Sequence, residues 1–384
     1  MKTQYRRFHP SAILAFAFAL TSVALHAETI STLTAGLHAP TKIAYSSKGN
    51  LLVTEAGFGP NSGRISIIDP ATGARRTLLD GLPSGFASPN NDPSGPSALL
   101  MRGRTVYLLI GSGDGAINGP GGTQLPNPHP SSPILSSVLV LRFSANVEQN
   151  TAGFTLSWED HVALKQGSIL SLDNGQGDSL TVELLADFPD TVAEKFGVSG
   201  VTHRPSNPFG VEILGETLYV ADASFNSIRT VDLVTSSIGV LSTFAPIPNT
   251  RGFGPPMVEA VPDSVHLVGR QLLVTLLTGG PFPLGGAQVR TVDLKTGVNT
   301  PLITGLTSAI DVLPLETGLL TLEFSTDMLA GPKPGRIQKF ASPGAVPTII
   351  TQGLITPTSM VRDAKSGALF VTEIFTGRVV KVTP

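Results

Sequence analysis

The sequence predicts an all-β fold: a six-bladed β-propeller whose last blade is completed by the N-terminal strand. Three observations lead there: a segment that repeats one order of strands and turns, a composition rich in turn formers, and a last repeat that stops one strand short. The chain of 384 residues holds 41 Gly and 31 Pro, which implies many turns. Only 14% of residues are charged against 41% hydrophobic, which suits strands buried on both faces and supplies a sizeable core.

The repeating unit is clearest from Pro208 to Leu233, PFGVEILGETLYVADASFNSIRTVDL. It reads as a leading proline, a short apolar strand, a tight polar turn, a strand ending in a carboxylate, a loop and a third strand. The same lead recurs at Pro40, Pro96, Pro262, Ala309 and Pro357, evenly spaced apart from one doubled interval. Second strands align from Leu51, Val106, Leu218, Leu272, Leu319 and Leu369, and third strands from Arg64, Ser137, Ser227, Gln288, Arg336 and Arg378. Fourth strands are expected at 74–79, 238–244, 299–304 and 347–351. The turns SSKGN, LKTG and AKSG carry the Gly, Asn and Ser that hairpins prefer.

The repeat led by Pro357 has room for only three strands before Pro384. Residues 28–37, ETISTLTAGL, precede the first leading proline as ITGL and ITQGL precede later leads. This N-terminal strand is expected to close the ring and remove its free edges. The doubled interval holds a Gly/Pro-rich loop from Ser112 to Leu135 and an insertion at about 145–179, ahead of a fourth strand from Leu180. A seventh, degenerate blade within 145–205 is the alternative, although strands there lack the leading proline and the second-strand signature.

The N-terminus gives an address. Lys2, Arg6 and Arg7 are followed by an apolar run from Ile13 to Leu25 and by small residues around Ala24 and Ala27. That is the pattern of a secretory signal peptide, so 1–27 is read as a leader and 28–384 as a single exported propeller domain, periplasmic or extracellular. The run is too short to span a bilayer, and no comparable segment follows. Removing the leader takes 26 Lys+Arg to 23 against 28 Asp+Glu, a net charge of −5 with no basic stripe. Nucleic acid and anionic membrane surfaces are thereby excluded as expected partners. Cysteine is absent, so disulfides and thiol catalysis are excluded as well.

Three segments carry a resemblance: NPFGVEILGETLYVADASFNSI, PDSVHLVGRQLLVTLLTGGPFPLGGAQVRTVD and GLTSAIDVLPLETGLLTLEFS. They resemble blades of the ScyD/ScyE family, secreted propellers named from a scytonemin biosynthesis cluster, with 277–293 the most specific part. LYVADASFNSI is shared with NHL-type propellers, and the architecture is similar to that of gluconolactonase-like propellers. The resemblance covers nearly the whole chain after the leader, except the insertion. It implies an exported six-bladed propeller and no particular chemistry.

In a propeller blade the start of the first strand and the end of the second lie on one face. The loops there are the long ones, 57–63, 112–135, 278–287 and 325–335, and a site is expected on that face. The second strands end at Glu55, Ile110, Asp222, Leu276, Glu323 and Glu373. The four carboxylates are candidate ligand-binding residues, and an oxygen-rich ring would suit a hard cation such as Ca²⁺. The other reading is that each carboxylate accepts N–H bonds within its own loop.

The innermost strands carry Lys42, Ala98, Gly210, Ser264, Asp311 and Ser359 at their third positions, with Glu212 and His266 at fifth positions. Asp311, His266 and Glu212 break a small or apolar pattern and are candidate acid–base residues, with Lys42 placed to hold an anion. The bland reading of the same set is a hydrogen-bonded plug in a wet channel.

Lesser matches are GDSL at 177–180, without a following Asp-x-x-His base, and GSGDG at 111–115, without the setting of a dinucleotide fingerprint. His38, His129, His161 and His203 lack metal-ligand spacing and read as surface residues, with 158–161 a candidate exposed patch. The expectation is thus a propeller that binds a small molecule, glycan or protein on the long-loop face. The alternative is an enzyme, a metal-dependent lactonase or hydrolase, or a lyase, of the gluconolactonase or streptogramin-lyase type.

Overall fold

The structure, a computed structural model, describes residues 29–149, 152–194, 202–331 and 333–383. The leader expected at 1–27 lies outside the described residues. Six antiparallel sheets follow one another along the chain, and their innermost strands contact one another in cyclic order. These six strands are Pro40–Tyr45, Pro96–Arg102, Pro208–Leu214, Pro262–Val268, Ala309–Pro314 and Pro357–Arg362. They lead blades 1 to 6, so every expected lead is the lead of a blade.

Each lead begins in the same way. Just after its first residue the innermost strand slips register against the second strand, a β-bulge that recurs in all six blades. A bulge frees an N–H from the ladder, and a threonine on the second strand takes it up. Lys42 N donates to Thr54 Oγ1 at 3.0 Å, and Ser264 N to Thr275 Oγ1 at 2.9 Å. Residues before the lead, Ala39, Val261, Ser308 and Thr356, sit at φ of 47–53° and turn the chain sharply into the new blade.

Blade 6 is Pro357–Arg362, Leu369–Glu373 and Arg378–Thr383, with Thr29–Ala35 as its outer strand. Thr29 pairs with Thr383 and Ala35 with Arg378, so the first strand of the chain closes the ring on the last. The third-to-fourth turns also tie blades together. Gly73 and Gly297 lie at φ of 73° and 69°, and a Cβ on either would come within 2.1 Å and 2.0 Å of the Leu33 and Leu241 carbonyl oxygens on the preceding blade's outer strand. Only glycine fits such an approach.

The core lies between blades. Leu52, Ile65, Leu79 and Leu82 of blade 1 pack on Leu99, Val106, Leu108 and Leu139 of blade 2, and similar clusters fill the other seams.

Residues 145–179 build no blade among those described. Phe154–Thr155 adds in parallel to the outer strand of blade 1, the helix Trp158–Lys165 follows, and Leu170–Asp173 adds as a fifth strand on blade 2. The fourth strand of blade 2 is Ser179–Asp187. The segment therefore covers two sheet edges that would otherwise be open.

The helix starts at a capping box: Ser157 Oγ accepts from Asp160 N, and Asp160 accepts from Ser157 N. The expected surface position of His161 is corrected here. Its ring is fully buried, hydrogen-bonded to the Gly81 carbonyl oxygen at 2.9 Å and to Ser132 Oγ at 3.1 Å, and burial lowers its pKa against the pull of the Gly81 carbonyl and Asp160. Trp158 alone of the 158–161 stretch is strongly apolar and exposed.

Candidate functional site

The four second-strand carboxylates are fully buried, and each is held within its own blade. Glu373 accepts from Ile355 N at 2.7 Å, Thr376 Oγ1 at 2.9 Å and Arg378 Nε at 2.5 Å. Glu323 accepts from Thr307 N at 2.5 Å and is paired with Arg336 Nε. Asp222 takes Asn207 N at 3.1 Å, Ser206 Oγ at 2.6 Å and Arg229 Nε at 2.6 Å. Glu55 takes His38 N and Ser66 Oγ, both at 2.5 Å.

A common pattern results. Each carboxylate ties the segment that enters its blade to the second strand, and in three blades an arginine of the third strand completes the clasp. Burial raises the Glu55 pKa, against the His38 N–H, Ser66, Arg64 and Arg75, which favour the anion.

A second group lies on the innermost strands. Asp311 of blade 5 is buried and gathers partners from three other blades. Lys42 Nζ of blade 1 is 3.4 Å from Oδ2, His266 Nε2 of blade 4 is 3.0 Å from Oδ1, and Ser359 Oγ of blade 6 donates to Oδ2 at 2.9 Å. The Met360 and Val312 N–H groups add bonds of 3.0 Å each. Burial opposes the charge of Asp311, but Lys42 and His266 with these donors outweigh it and hold the carboxyl well below the usual carboxylate range. The side chains of Lys42 and His266 are 16% and 21% exposed, so water reaches both.

The structure thus brings together Lys42, His266 and Asp311. Glu212 stands apart from Asp311: its carboxylate accepts from Ile213 N and Leu267 N, both at 3.1 Å, bracing blade 3 against blade 4.

Sequence reasoning missed Asp263, the second residue of the blade 4 lead. It is 3% exposed, its Oδ1 has no hydrogen-bond partner, and burial pushes its pKa well above the carboxylate range, with Lys42 opposing and Asp311 adding to the rise. The signal was present. Of the five equivalent residues Phe209 and Ile310 are apolar, whereas Thr41, Ser97 and Thr358 are hydroxyls, each donating to the carbonyl of the next blade's leading proline, at 2.7, 2.6 and 3.0 Å.

Divalent metal fits neither group. The clasp carboxylates are buried and engaged by arginines or backbone N–H groups, while Asp311 has an ammonium where an ion would sit. Among the described residues no group of three or more His, Asp or Glu is placed to hold an ion.

The long-loop face carries a third set of features. Phe58, Phe253 and Phe375, on loops of that face, and Phe86, in the short hairpin strand Gly85–Ala87 that leads into blade 2, are 39–58% exposed. The loops are braced to one another by polar side chains. Arg251 bonds Asp327 Oδ1 at 2.6 Å and the Phe282 carbonyl at 2.9 Å, joining the loops of blades 4 and 5. Asn61 Nδ2 donates to the Ser131 carbonyl at 2.8 Å, and Ser131 Oγ to the Ser84 carbonyl at 2.7 Å, joining those of blades 1 and 2. No helix among the described residues is long and apolar enough to cross a membrane.

No family model and no curated protein matches the sequence. Among solved structures, the chain is similar to an auxiliary nutrient binding protein from Bacteroides thetaiotaomicron, with a TM-score of 0.53 at 9% identity, over 92% of this chain and 76% of that one. It is also similar to a glucose-dehydrogenase-type oxidoreductase from Thermus thermophilus, with a TM-score of 0.47 at 15% identity over 92% and 99% of the two chains. The PQQ-bound aldose sugar dehydrogenase of Streptomyces coelicolor gives 0.47 at 11% identity over 93% and 98%. At such identities the likeness concerns the propeller ring alone.

Proposed function

We propose that this protein is an exported, ScyD/ScyE-like propeller that binds a ligand on its long-loop face and performs no chemistry there. The observation that supports this reading is the combination of exposed phenylalanines with braced loops. Four aromatic side chains held in water cost apolar burial that a ligand would restore, at about 25 cal/mol per Å² covered. Loops already tied by Arg251, Asn61 and Ser131 lose little entropy when the ligand arrives. Phenylalanine offers no hydrogen bond to a sugar hydroxyl, so the rim favours a protein or an apolar small molecule over a glycan.

The test compares the exported chain with a Phe58→Ser, Phe253→Ser double variant. Both sites are exposed, so the fold should be unaffected. Immobilised protein is challenged with the exported protein fraction, a glycan array and an apolar small-molecule panel. A ligand held by the native chain and lost by the variant supports the reading, and equal retention by both sinks it.

One observation favours a second reading. His266 and Asp311 form an imidazole–carboxylate pair at 3.0 Å with the ring open to water, which is the arrangement of a general base and its orienting group. On that reading the protein is a metal-free hydrolase or lyase. Turnover of lactone or lyase substrates that vanishes in His266→Ala would establish it, and an unchanged rate would dismiss it.

A further inference from the structure

We propose that the outer groove between blades 4 and 5 docks a partner protein through an extended, uncharged segment laid along 302–306, with large apolar side chains at alternate positions. The groove lies against an outer strand, so the proposal goes beyond the loop-face reading and does not depend on it.

The occupant is argued from blade 1, where the chain fills the corresponding groove itself. Leu78, Leu79, Gly81 and Leu82 of blade 1 match Leu302, Ile303, Gly305 and Leu306 of blade 4. Both outer strands pair with their third strands in the same register, Ile65 with Leu79 and Val289 with Ile303. Phe154–Thr155 runs in parallel along the blade 1 strand, and Leu156 N donates to the Asp80 carbonyl at 3.0 Å. Phe154 and Leu156 are 4% and 3% exposed and cluster with Leu78, Leu79 and Leu82 and with Leu139 and Leu141 of blade 2. Thr155 between them faces water. This is a strand added to a sheet edge with its alternate side chains buried.

At blade 4 the same place is a groove of about 330 Å³ lined by Leu302, Ile303, Leu306, Phe340, Ala345 and Pro347. Phe340 and Gln338 stand where blade 2 has Leu141 and Leu139, so the floor is apolar but for one amide. The glycines show the difference in filling. A Cβ on Gly81, at φ 71°, would come within 2.1 Å of the Leu156 carbonyl oxygen, whereas one on Gly305, at φ 81°, would meet nothing within 4 Å.

The opening has two causes. The third-to-fourth connection of blade 2 supplies the filling segment, while that of blade 5, 341–347, is too short to do so. Gly73 and Gly297 also bring the turns of blades 1 and 4 against the preceding outer strands, but the turn glycine of blade 5, Gly344, has nothing within 4 Å of its Cβ position. Leu302 is therefore partly exposed where Leu78 is buried, and Val346, between two lining residues, is 92% exposed. A partner would cover this apolar surface.

Charge narrows the partner. No residue lining the groove is charged, and none of 153–156 is. A charged segment would be buried there without a counter-charge, so the partner segment is uncharged and its binding should hardly respond to salt.

The probe is a fluorescent peptide copying 152–157, AGFTLS, compared with the rearranged AGTFLS, in which Phe and Leu adjoin. Anisotropy titration of the exported chain should show at least about tenfold tighter binding of the first, since adjacent side chains leave a strand on opposite faces and only one can enter the groove. Ala345 is a half-buried lining residue. Ala345→Trp fills the groove and Ala345→Glu charges it, and either variant, folded by its unfolding midpoint, should lose the peptide. Phe58→Ser with Phe253→Ser should leave binding unchanged, which separates this site from the loop face. A photo-reactive phenylalanine in the peptide should cross-link within 302–306 or 340–347.

Equal affinity for the two peptides, no saturable binding, retention by the Ala345 variants, or cross-links confined to other residues would each overturn the proposal. Self-association of the chain that Ala345→Trp abolishes would give the groove to a second copy and overturn it as well.

Discussion

Replacing Asp263 with serine should stabilise the protein, and by more as the pH rises. Two contributions do not depend on pH. Removing the unpartnered Oδ1 recovers about 1–3 kcal/mol, and a hydroxyl donating to the lead of blade 5, as Thr41 does to Pro96, adds about 0.5–1.5 kcal/mol. For a chain of about 350 ordered residues, 1 kcal/mol corresponds to roughly 1.3 °C in Tm, so together these give roughly 2–6 °C.

The third contribution titrates. Below about pH 3.9 the acid is protonated in folded and unfolded chains alike and has no charge to bury. As pH rises the unfolded chain ionises first, because burial raises the folded pKa, and native stability falls by up to about 1.4 kcal/mol per pH unit until the folded acid also ionises. Lys42 opposes this rise, while Asp311, itself braced by His266, adds to it. The variant has no such loss. Thermal unfolding of both chains from pH 4 to pH 7.5 should therefore show a Tm gain that widens as pH rises above the unfolded pKa and levels off only where the folded acid ionises. A variant less stable than the parent, or a gain that stays flat with pH, would refute the placement of an uncompensated acid in the seam.

Two further predictions concern the ring. Glu373→Gln should lose charge-assisted bonds to Ile355 N and Arg378 and lower stability by about 1.5–3 kcal/mol, or roughly 2–4 °C in Tm, measured by thermal unfolding; a shift under about 1 °C would show that the clasp is dispensable. Deleting Thr29–Ala35 should bare the Arg378–Thr383 edge and the side chains packed on Ile30 and Leu33, giving a lower midpoint and self-association in size-exclusion chromatography. A monomer of unchanged midpoint would contradict that.

The ring was legible because its signals are local and repeated. Pro40, Pro208 and Pro357 mark leads by their fixed φ, and the runs from Leu51, Leu218 and Leu369 are apolar, apart from Thr54 and Thr372, between a turn and a carboxylate. The short final repeat pointed to the N-terminal strand because an unpaired edge must go somewhere. Residues 145–179 were opaque for the converse reason: their partners are the outer edges of two blades, and no repeat announces them. His161 could not be placed from its neighbours, because its ring is held by Gly81 and Ser132, distant in sequence.

At the candidate site, alternation along the innermost strands was enough to gather Lys42 and Asp311, whose side chains point inward from different blades. Asp263 escaped because it sits at the bulge, where two residues oppose one and strict alternation fails. Comparing position two across blades would have found it, since Thr41, Ser97 and Thr358 are hydroxyls, Phe209 and Ile310 are apolar and Asp263 alone is acidic. The distinct role of Glu212 was out of reach, since it depends on the Leu267 N–H of the neighbouring blade.

The pairing of Thr29 with Thr383 also sets an order of events. Joining points so far apart in the chain carries a loop-closure entropy of roughly 5 kcal/mol in an unstructured polymer, by the logarithmic law. Much of that cost disappears if the intervening blades assemble first and carry the two ends to each other. The opening strand must then wait, unpaired, for the closing one, so a chain emerging N-terminus first cannot lock its circle until its final strand is free. During that wait the same strand edge can be met by another copy, and dilution of the emerging chains favours the intramolecular ending.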